Sequence, residues 1–291
     1  MRHRLDVLAA AILFSTAGGV IKLTTLSGWR LAGLRSLVAA LFILAALPAA
    51  RVWPRRGQWP AAVAMGVTVL LFVLANRLTT AASAIFLQAT APVWLLLLAP
   101  MFLGESPRPR DVAAGAAMAA GMALMFSAPA PHTALAPDPR TGDVLAATTG
   151  LTWALVVLTL RREQRDGAGN AAPVIVAGHL LAFLAAVPFM AGGGAIGARD
   201  LALVGALGVV QVGLASVLLL RGVRRVPAIE TSLLILLEPA LSPLWAWLLA
   251  GERPTATALV GGAVILGAAL LHAARAAASP ASVADERTAD R

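Results

Sequence analysis

Residues 233–250 read LLILLEPALSPLWAWLLA, an apolar run with a single charged side chain, Glu238. A helix that crosses the hydrocarbon core of a bilayer needs about 20 mostly apolar residues. Residues 201–220, LALVGALGVVQVGLASVLLL, form a second run of this kind without any charge. Runs of this length are too long for the core helices of a soluble domain. They predict an all-α integral membrane protein.

The composition of the whole chain supports this interpretation. Of its 291 residues, 59% are hydrophobic and 13% are charged, whereas a soluble domain carries about a quarter charged residues. The net charge of +9 could indicate a nucleic-acid-binding protein. The arginines, however, lie in short loops between apolar runs, which is the pattern that sets membrane orientation. The sequence therefore predicts the lipid bilayer as a partner and no nucleic acid.

Several kinds of chemistry are excluded. The chain has no cysteine, so it has no disulfide, no thiol nucleophile and no cysteine metal site. Its four histidines lack metal-ligand spacing, and no Walker loop for ATP is present. No nucleophile lies beside a plausible base. We therefore expect no enzyme, no metal and no cofactor.

Ten apolar segments can be placed along the chain, which puts both termini on the same side of the membrane. Sixteen of the loop and terminal arginines fall on that side and five on the other, so both termini are predicted to be cytoplasmic. The abundance of Ala and Arg beside a single lysine is typical of a GC-rich bacterial genome. The predicted location is therefore the bacterial inner membrane. The approximate spans are 5–24, 30–50, 60–78, 81–103, 109–127, 143–160, 172–191, 201–220, 227–250 and 255–274.

Internal similarity divides these segments into two sets of five. The sequence DVLAA at 6–10 recurs at 143–147, and Gly104-Glu105 recurs as Gly251-Glu252. The matches keep their order, and their offset grows slowly from 137 to 147. Because five is an odd number, the second copy is inverted in the membrane, an architecture typical of transporters. The recurrence also indicates that the first apolar stretch, which imitates a signal peptide, is a membrane span.

Four regions follow from this duplication. The first five-helix repeat is predicted at 1–127 and the second at 143–275. Residues 128–142 are rich in proline and form an extracytoplasmic connector. Residues 276–291 are polar and rich in Ala and Ser, which predicts a disordered cytoplasmic tail.

Three motifs resemble the EamA-type members of the drug/metabolite transporter superfamily. Residues 12–22, ILFSTAGGVIK, resemble the family's opening helix, with small polar residues at its centre and a lysine near its outer end. Residues 237–240, LEPA, running on to 248–252, LLAGE, resemble its Glu-Pro helix. The third motif is the counterpart of that helix in the first repeat, which runs from Ala91-Pro92 to Leu103-Gly104-Glu105. The resemblance implies ten helices in two inverted repeats around a central cavity. The first repeat departs from the second, because Ala91 stands where the second has Glu238.

Glu238 and Lys22 are the first candidates for the mechanism. A charged side chain at mid-membrane costs about 2.5–3.5 kcal/mol or more, and Pro239 removes a backbone donor beside Glu238. Glu238 either faces the cavity, binding an amine or exchanging a proton, or pairs with a basic residue and fastens two helices. Lys22 either holds a substrate carboxylate, pairs with Glu238, or extends to the outer headgroups.

The other candidates are polar residues within spans, and each has a structural alternative. Arg35 either anchors an anionic substrate or reaches the interface, and His179 either relays protons or packs in the interior. The remaining residues either line the cavity or hydrogen-bond within or between helices. These residues are Gln88, Gln211, Thr152, Trp153 and Ser15. Glu105 and Glu252 are interpreted as surface caps or exposed ion pairs.

The predicted function is a secondary transporter of small metabolites. The resemblance implies an exporter or exchanger of amino acids or related compounds that works by alternating access, and proton coupling through Glu238 is a further hypothesis. The alternative is a lipid-carrier flippase subunit or a non-transporting membrane partner protein. Those would favour a single repeat or a long functional loop, and the chain has neither. A monomer or a homodimer is expected.

Overall fold

The computed structural model describes residues 2–104, 106–127, 132–165, 170–192 and 194–277. Within these ranges the regular structure is helical, apart from one isolated bridge between Thr133 and Ala136. Most of the predicted tail, residues 278–291, and residues 128–131 of the predicted connector lie outside the described residues.

The described helices form ten segments, numbered here in chain order. Segment 1 is broken into Arg2–Ser15 and Ala17–Leu23, and segment 4 into Ala81–Gln88 and Ala91–Leu103; segment 2 is Gly28–Ala46, segment 3 Trp59–Leu78 and segment 5 Pro109–Ser127. Segment 6 is Pro139–Arg165, segment 7 Ala172–Ala186 and segment 10 Ala256–Ala277. Segment 8 joins Ala198–Gly205, a π-helical stretch Ala206–Leu214 and Ala215–Gly222, and segment 9 joins Ala228–Ile235 and Leu237–Ala250. Short 3-10 turns occupy Pro48–Ala50, Arg56–Gln58 and Val187–Phe189.

Nine of these described segments are long and apolar enough to cross a membrane. Segment 5 is the exception, because its first turn carries Arg110 and Asp111. It nevertheless packs closely on segment 10: a Cβ built on Gly121 would lie 2.7 Å from the carbonyl oxygen of Gly261. The described residues therefore support a multi-pass helical bundle with nine candidate membrane spans, and the tenth span stays a prediction from the sequence.

Segment 6 begins four residues earlier than the sequence pattern predicted. Its helix starts at Pro139 rather than at position 143. Asp138 caps this end by accepting a hydrogen bond from the backbone N–H of Thr141 at 3.3 Å, and proline is well suited to a first helical turn. The hydrogen bonds from Thr141 also lower the pKa of the Asp138 carboxyl.

The two repeats pack on each other through reciprocal pairs of segments. Segment 1 packs on segments 8 and 9, and its counterpart, segment 6, packs on segments 3 and 4. Segment 2 packs on segments 7 and 8, and segment 7 packs on segments 2 and 3. Segments 4 and 9 contact each other, as do segments 5 and 10. The repeats are therefore related by an approximate two-fold axis, as inverted repeats require.

Segments 4 and 9 are broken at equivalent places. The break at Ala89–Thr90 precedes Pro92, and the break at Leu236 precedes Pro239. Each proline lacks the N–H that would continue the helical ladder, so the backbone donor missing beside Glu238 accounts for the interruption of segment 9. Both segments end on a left-handed glycine, Gly104 and Gly251, each with φ of 67°.

Glycines allow the closest approaches between the repeats. A Cβ on Gly19 of segment 1 would lie 2.8 Å from the carbonyl oxygen of Trp245 in segment 9. At the reciprocal contact, a Cβ on Gly150 of segment 6 would lie 3.1 Å from the carbonyl oxygen of Leu87 in segment 4. Small residues at such crossings let helix backbones meet in a membrane. These two close contacts hold the broken segments 4 and 9 against segments 6 and 1.

Candidate functional site

Three of the predicted polar residues are buried together in the interior. Arg35, His179 and Gln211 are 5%, 2% and 5% exposed, and they come from segments 2, 7 and 8, of which segment 2 packs on both others. Each keeps buried polar atoms without a hydrogen-bond partner in the described part of the chain. These atoms are Arg35 Nε and Nη1, His179 Nδ1 and Gln211 Oε1.

Glu238 joins this group from segment 9. It is half-buried just after the helix break, and its charge interacts with that of Arg35. Arg35 in turn interacts with His179. Among the described residues, no ion pair within 4 Å joins Arg35 to Glu238. We call Arg35, His179, Gln211 and Glu238 the central cluster.

Gln211 also connects segment 8 to the break in segment 1. Its Nε2 donates a hydrogen bond of 3.2 Å to the carbonyl oxygen of Phe14, close to the interruption at Thr16. The residue lies in the π-helical stretch Ala206–Leu214. Such stretches are rare and occur frequently at functional sites. The amide therefore fastens two irregular helices and leaves its Oε1 unpartnered.

Ser15 has a bonded position between segments 1 and 9. It is completely buried, it donates to the carbonyl oxygen of Ile12 at 2.6 Å, and it accepts a hydrogen bond of 2.9 Å from Trp245 Nε1. Its hydroxyl therefore has both a donor and an acceptor within the chain. Ser15 fixes the indole of Trp245 in place.

Two of the alternatives given for Lys22 are wrong: it neither pairs with Glu238 nor extends to the outer lipid headgroups. Its side chain is 1% exposed and its Nζ lies 3.1 Å from Glu252 Oε2. Nζ also donates to the carbonyl oxygens of Thr79, at 2.6 Å, and Leu135. Lys22 lies in the last turn of segment 1, which meets the end of segment 9 rather than its middle.

Glu252 is buried, so its interpretation as a surface cap or exposed ion pair is wrong. It is 5% exposed, and its Oε1 accepts a hydrogen bond of 2.6 Å from the backbone N–H of Ala81. The left-handed Gly251 turns the chain back, which brings the carboxylate to the first turn of segment 4. The free N–H groups of a helix start favour a negative charge. Glu105, its equivalent, lies outside the described residues.

Further buried hydrogen bonds surround this ion pair. Thr79 Oγ1 donates to Asp143 Oδ1 at 2.6 Å, joining segments 3 and 6. Lys22, Thr79, Asp143 and Glu252 are all at most 7% exposed, and we call them the outer cluster because they lie on the side predicted to be extracytoplasmic. Nearby, the backbone N–H of Thr25 donates to Asp200 Oδ1 at 2.9 Å. Segments of both repeats are therefore bound together at this end.

Sequence reasoning missed Thr79 and Asp143 as parts of this cluster. Asp143 served only as a marker of the repeated DVLAA sequence. An acidic residue at the predicted outer end of a span was the available signal, and it needed a partner that only the packing of segments 3 and 6 supplies.

Thr152, Trp153 and Gln88 lie away from the outer cluster. Thr152 accepts a hydrogen bond of 2.6 Å from Thr68 Oγ1, which ties segment 6 to segment 3. Trp153 is 39% exposed. Gln88 is half-buried and is the last residue before the break in segment 4. The hydrogen bond of Thr152 is the interhelical packing role left open for it above.

A cavity of about 580 Å³ lies at the predicted cytoplasmic end, between segments 4, 5, 6 and 10, and its lining does not include the residues of the central cluster. Its charged lining includes Asp111, whose Oδ1 lies 3.8 Å from His272 Nδ1. The apolar lining includes Pro92, the helix-break residue of segment 4, and Met118. The cavity therefore extends from the charged helix ends to the break in segment 4.

Comparison with known proteins adds a family and a fold. The family model described as the EamA-like transporter family matches residues 5–127 and 140–273. One solved structure, described only as "Crystal structure of protein", is 23% identical in sequence, with a TM-score of 0.63 over 94% of this chain and 98% of its own. At that identity the likeness concerns the fold alone. No curated protein matches the chain.

Proposed function

The chain belongs to the EamA-like transporter family, and from this premise we propose that it is a secondary transporter of small metabolites. We expect an exporter or exchanger of amino acids or related compounds that works by alternating access. The resemblance stated above supplies this substrate class, and the central cluster is where we expect the solute to bind.

The observation that carries the proposal is the set of unpartnered polar atoms in the central cluster. A polar group buried in a membrane without a partner costs several kcal/mol, so a fold that keeps four such atoms has a use for them. Arg35 belongs to the first repeat, whereas His179, Gln211 and Glu238 belong to the second. A solute bound there would lie at the interface of the repeats, where inverted-repeat transporters bind their substrates.

The contrast between the two ends supports alternating access. The outer cluster joins segments of both repeats by buried bonds at one end. At the other end, segments 1 and 9 meet through the exposed Arg4–Glu230 ion pair, and a cavity lies between segments 4, 5, 6 and 10. In this proposal, the solute leaves or enters on the outer side only after the Lys22–Glu252 pair separates. We also propose that Glu238 exchanges a proton during the cycle. Among the described residues, no ion pair within 4 Å joins it to Arg35, and an unpaired carboxylate is costly to keep charged within a membrane.

One feature favours the alternative of a lipid-carrier flippase. A groove of about 400 Å³ on segments 9 and 10 is lined mainly by apolar residues, including Pro243, Leu244, Trp247 and Leu259. An apolar groove open to the bilayer suits a lipid chain. None of the described residues that line this groove has a buried polar atom without a partner, so we favour transport of a polar solute through the central cluster.

The proposal is tested by counterflow of labelled amino acids into proteoliposomes. We expect the unaltered protein to exchange at least one of them and Glu238→Gln to lose at least nine tenths of that exchange. Arg51→Gln, at an exposed position just beyond segment 2 and the turn that follows it, is the control and should exchange normally. Exchange by Glu238→Gln at the full rate would remove Glu238 from the mechanism, and movement of lipid-linked headgroups without any solute would favour the flippase.

A further inference from the structure

Arg35 differs from the other buried charges in the described part of the chain. Lys22 has Glu252 and two carbonyl oxygens as partners, and Asp143 accepts from Thr79. Asp200 accepts from the backbone of Thr25. Arg35, by contrast, is 5% exposed and keeps both Nε and Nη1 without an acceptor.

An unmatched guanidinium of this kind is costly. Removing one partner from a buried ion pair strongly destabilises a protein, because the remaining charge is left uncompensated. Arg35 cannot shed its charge as a lysine can, since a guanidinium stays protonated in proteins. The side chain therefore needs an anion in at least one state of the protein.

The packing around Arg35 holds it in the interior. A Cβ on Gly208, in the π-helical stretch of segment 8, would lie 3.0 Å from the carbonyl oxygen of Arg35 and 2.6 Å from Val38. This close approach fixes the backbone of segment 2 at that turn. The side chain of Arg35 therefore lies in the interior of the bundle, and the alternative that it reaches the membrane interface is wrong.

Glu238 supplies part of the missing negative charge. The two charges interact, yet among the described residues no ion pair within 4 Å joins them. His179, with Nδ1 unpartnered, lies close enough for the charge of Arg35 to act on it. A small anion bound to Arg35 would thus have an imidazole as a further polar neighbour and a carboxylate nearby.

We propose that the transported solute is a small monocarboxylate or a zwitterion, and that its carboxylate binds the guanidinium of Arg35. This inference rests on the proposed transport function. The nearby Glu238 repels a second negative charge on the solute, so dicarboxylates and phosphorylated compounds bind more weakly. A solute amine, where present, is attracted by Glu238.

The test uses the full chain purified in detergent and a series of matched ligands. Each amino acid is compared with its primary amide, which lacks the carboxylate charge, and with the corresponding acid that lacks the amine. A ligand that binds the folded state raises the melting temperature, and the stabilisation grows with the logarithm of its concentration relative to its Kd. We expect at least one amino acid or acid to raise the melting temperature, its amide to need at least a tenfold higher concentration for the same shift, and aspartate and glutamate to be weaker than their neutral counterparts.

Variants connect this selectivity to Arg35. Arg35→Gln should lose the melting shift, Arg35→Lys should retain part of it, and Arg51→Gln should keep it in full. Size-exclusion chromatography shows whether each variant is folded. If Arg35 were needed only as a structural partner of Glu238, the double variant Arg35→Met with Glu238→Met would bind carboxylates as the unaltered protein does, and the inference would be overturned.

The failure of this inference can be told apart from failure of transport. Equal shifts from an amino acid and its amide, or no response to any carboxylate, would overturn the assignment of Arg35. Counterflow of neutral or cationic solutes in the same preparation would still leave the protein a transporter. Absence of counterflow for every solute would overturn the proposed function itself.

Discussion

Segments 1 and 9 are joined by an ion pair at each end, and the two pairs differ in their surroundings. At the predicted cytoplasmic end, Arg4 Nε lies 2.6 Å from Glu230 Oε1, with side chains 63% and 30% exposed. At the outer end, Lys22 lies 3.1 Å from Glu252, with side chains 1% and 5% exposed. Water screens the first pair and not the second. The same two helices are therefore held loosely at one end and firmly at the other.

The repeats show the same difference at equivalent positions. Asp143 begins the second copy of DVLAA and is 1% exposed, bonded to Thr79. Asp6 begins the first copy, has a side chain 23% exposed and lies 3.5 Å from His3 on its own helix. The duplicated fold is thus preserved at both ends, whereas of these two equivalent aspartates only the one at the outer end is buried. The two ends of the bundle therefore differ in the chemistry that joins their helices.

The largest expected effect comes from the two ion pairs. Lys22→Met leaves the Glu252 carboxylate buried without its cation, which should lower the free energy of unfolding by about 3–5 kcal/mol. Arg4→Gln removes an exposed pair and should cost under about 1 kcal/mol. Chemical denaturation in detergent micelles measures both.

A double variant shows whether the loss comes from the unpaired charge. Lys22→Met with Glu252→Gln should be more stable than Lys22→Met alone, because no charge is then left buried. Equal losses from Lys22→Met and Arg4→Gln would contradict the difference between the two ends.

A smaller effect is expected at the two equivalent aspartates. Asp143→Asn weakens a buried hydrogen bond to Thr79 and should cost about 1–3 kcal/mol. Asp6→Asn changes a partly exposed group and should stay within about 0.5 kcal/mol. Thermal unfolding of both variants under the same conditions makes the comparison, which fails if Asp6→Asn is as destabilising as Asp143→Asn.

The smallest difference is expected where the repeats are alike. Gly104 and Gly251 both end a broken helix at φ 67°, a conformation that costs a residue with a Cβ about 1–2 kcal/mol. Neither position has an atom within 4 Å of an added Cβ, so strain alone should act. Gly104→Ala and Gly251→Ala should therefore destabilise equally in thermal melts, and clearly unequal shifts would mean that the two caps differ in structure.

The sequence was sufficient for features that depend on local chemistry. The break beside Pro239 follows from a missing N–H, and the duplication follows from matches such as Gly104-Glu105 with Gly251-Glu252. The family resemblance carried by these motifs is confirmed. These features need no knowledge of which helices touch.

Pairings between distant residues could not be predicted in the same way. Lys22 and Glu252 are 230 positions apart in the sequence, and choosing Glu252 over Glu238 as the partner depends on which turns of segments 1 and 9 meet. The burial of Arg35 likewise depends on Gly208 reaching its backbone. The roles of the central cluster in binding and coupling stay predictions.

The most direct test of the account is labelling of introduced cysteines, which the cysteine-free chain allows without background. Thr80→Cys places the thiol at a position that is 5% exposed, beside the outer cluster. Pro227→Cys places it at the equivalent position of the second repeat, which is exposed. Both variants are labelled with an impermeant maleimide from each side of sealed vesicles. We expect slow labelling at position 80 and fast labelling at position 227, with Glu252→Gln raising the rate at position 80 at least tenfold. A transported solute should change the two rates in opposite directions. Equal rates that neither Glu252→Gln nor solute alters would contradict alternating access through an outer polar gate.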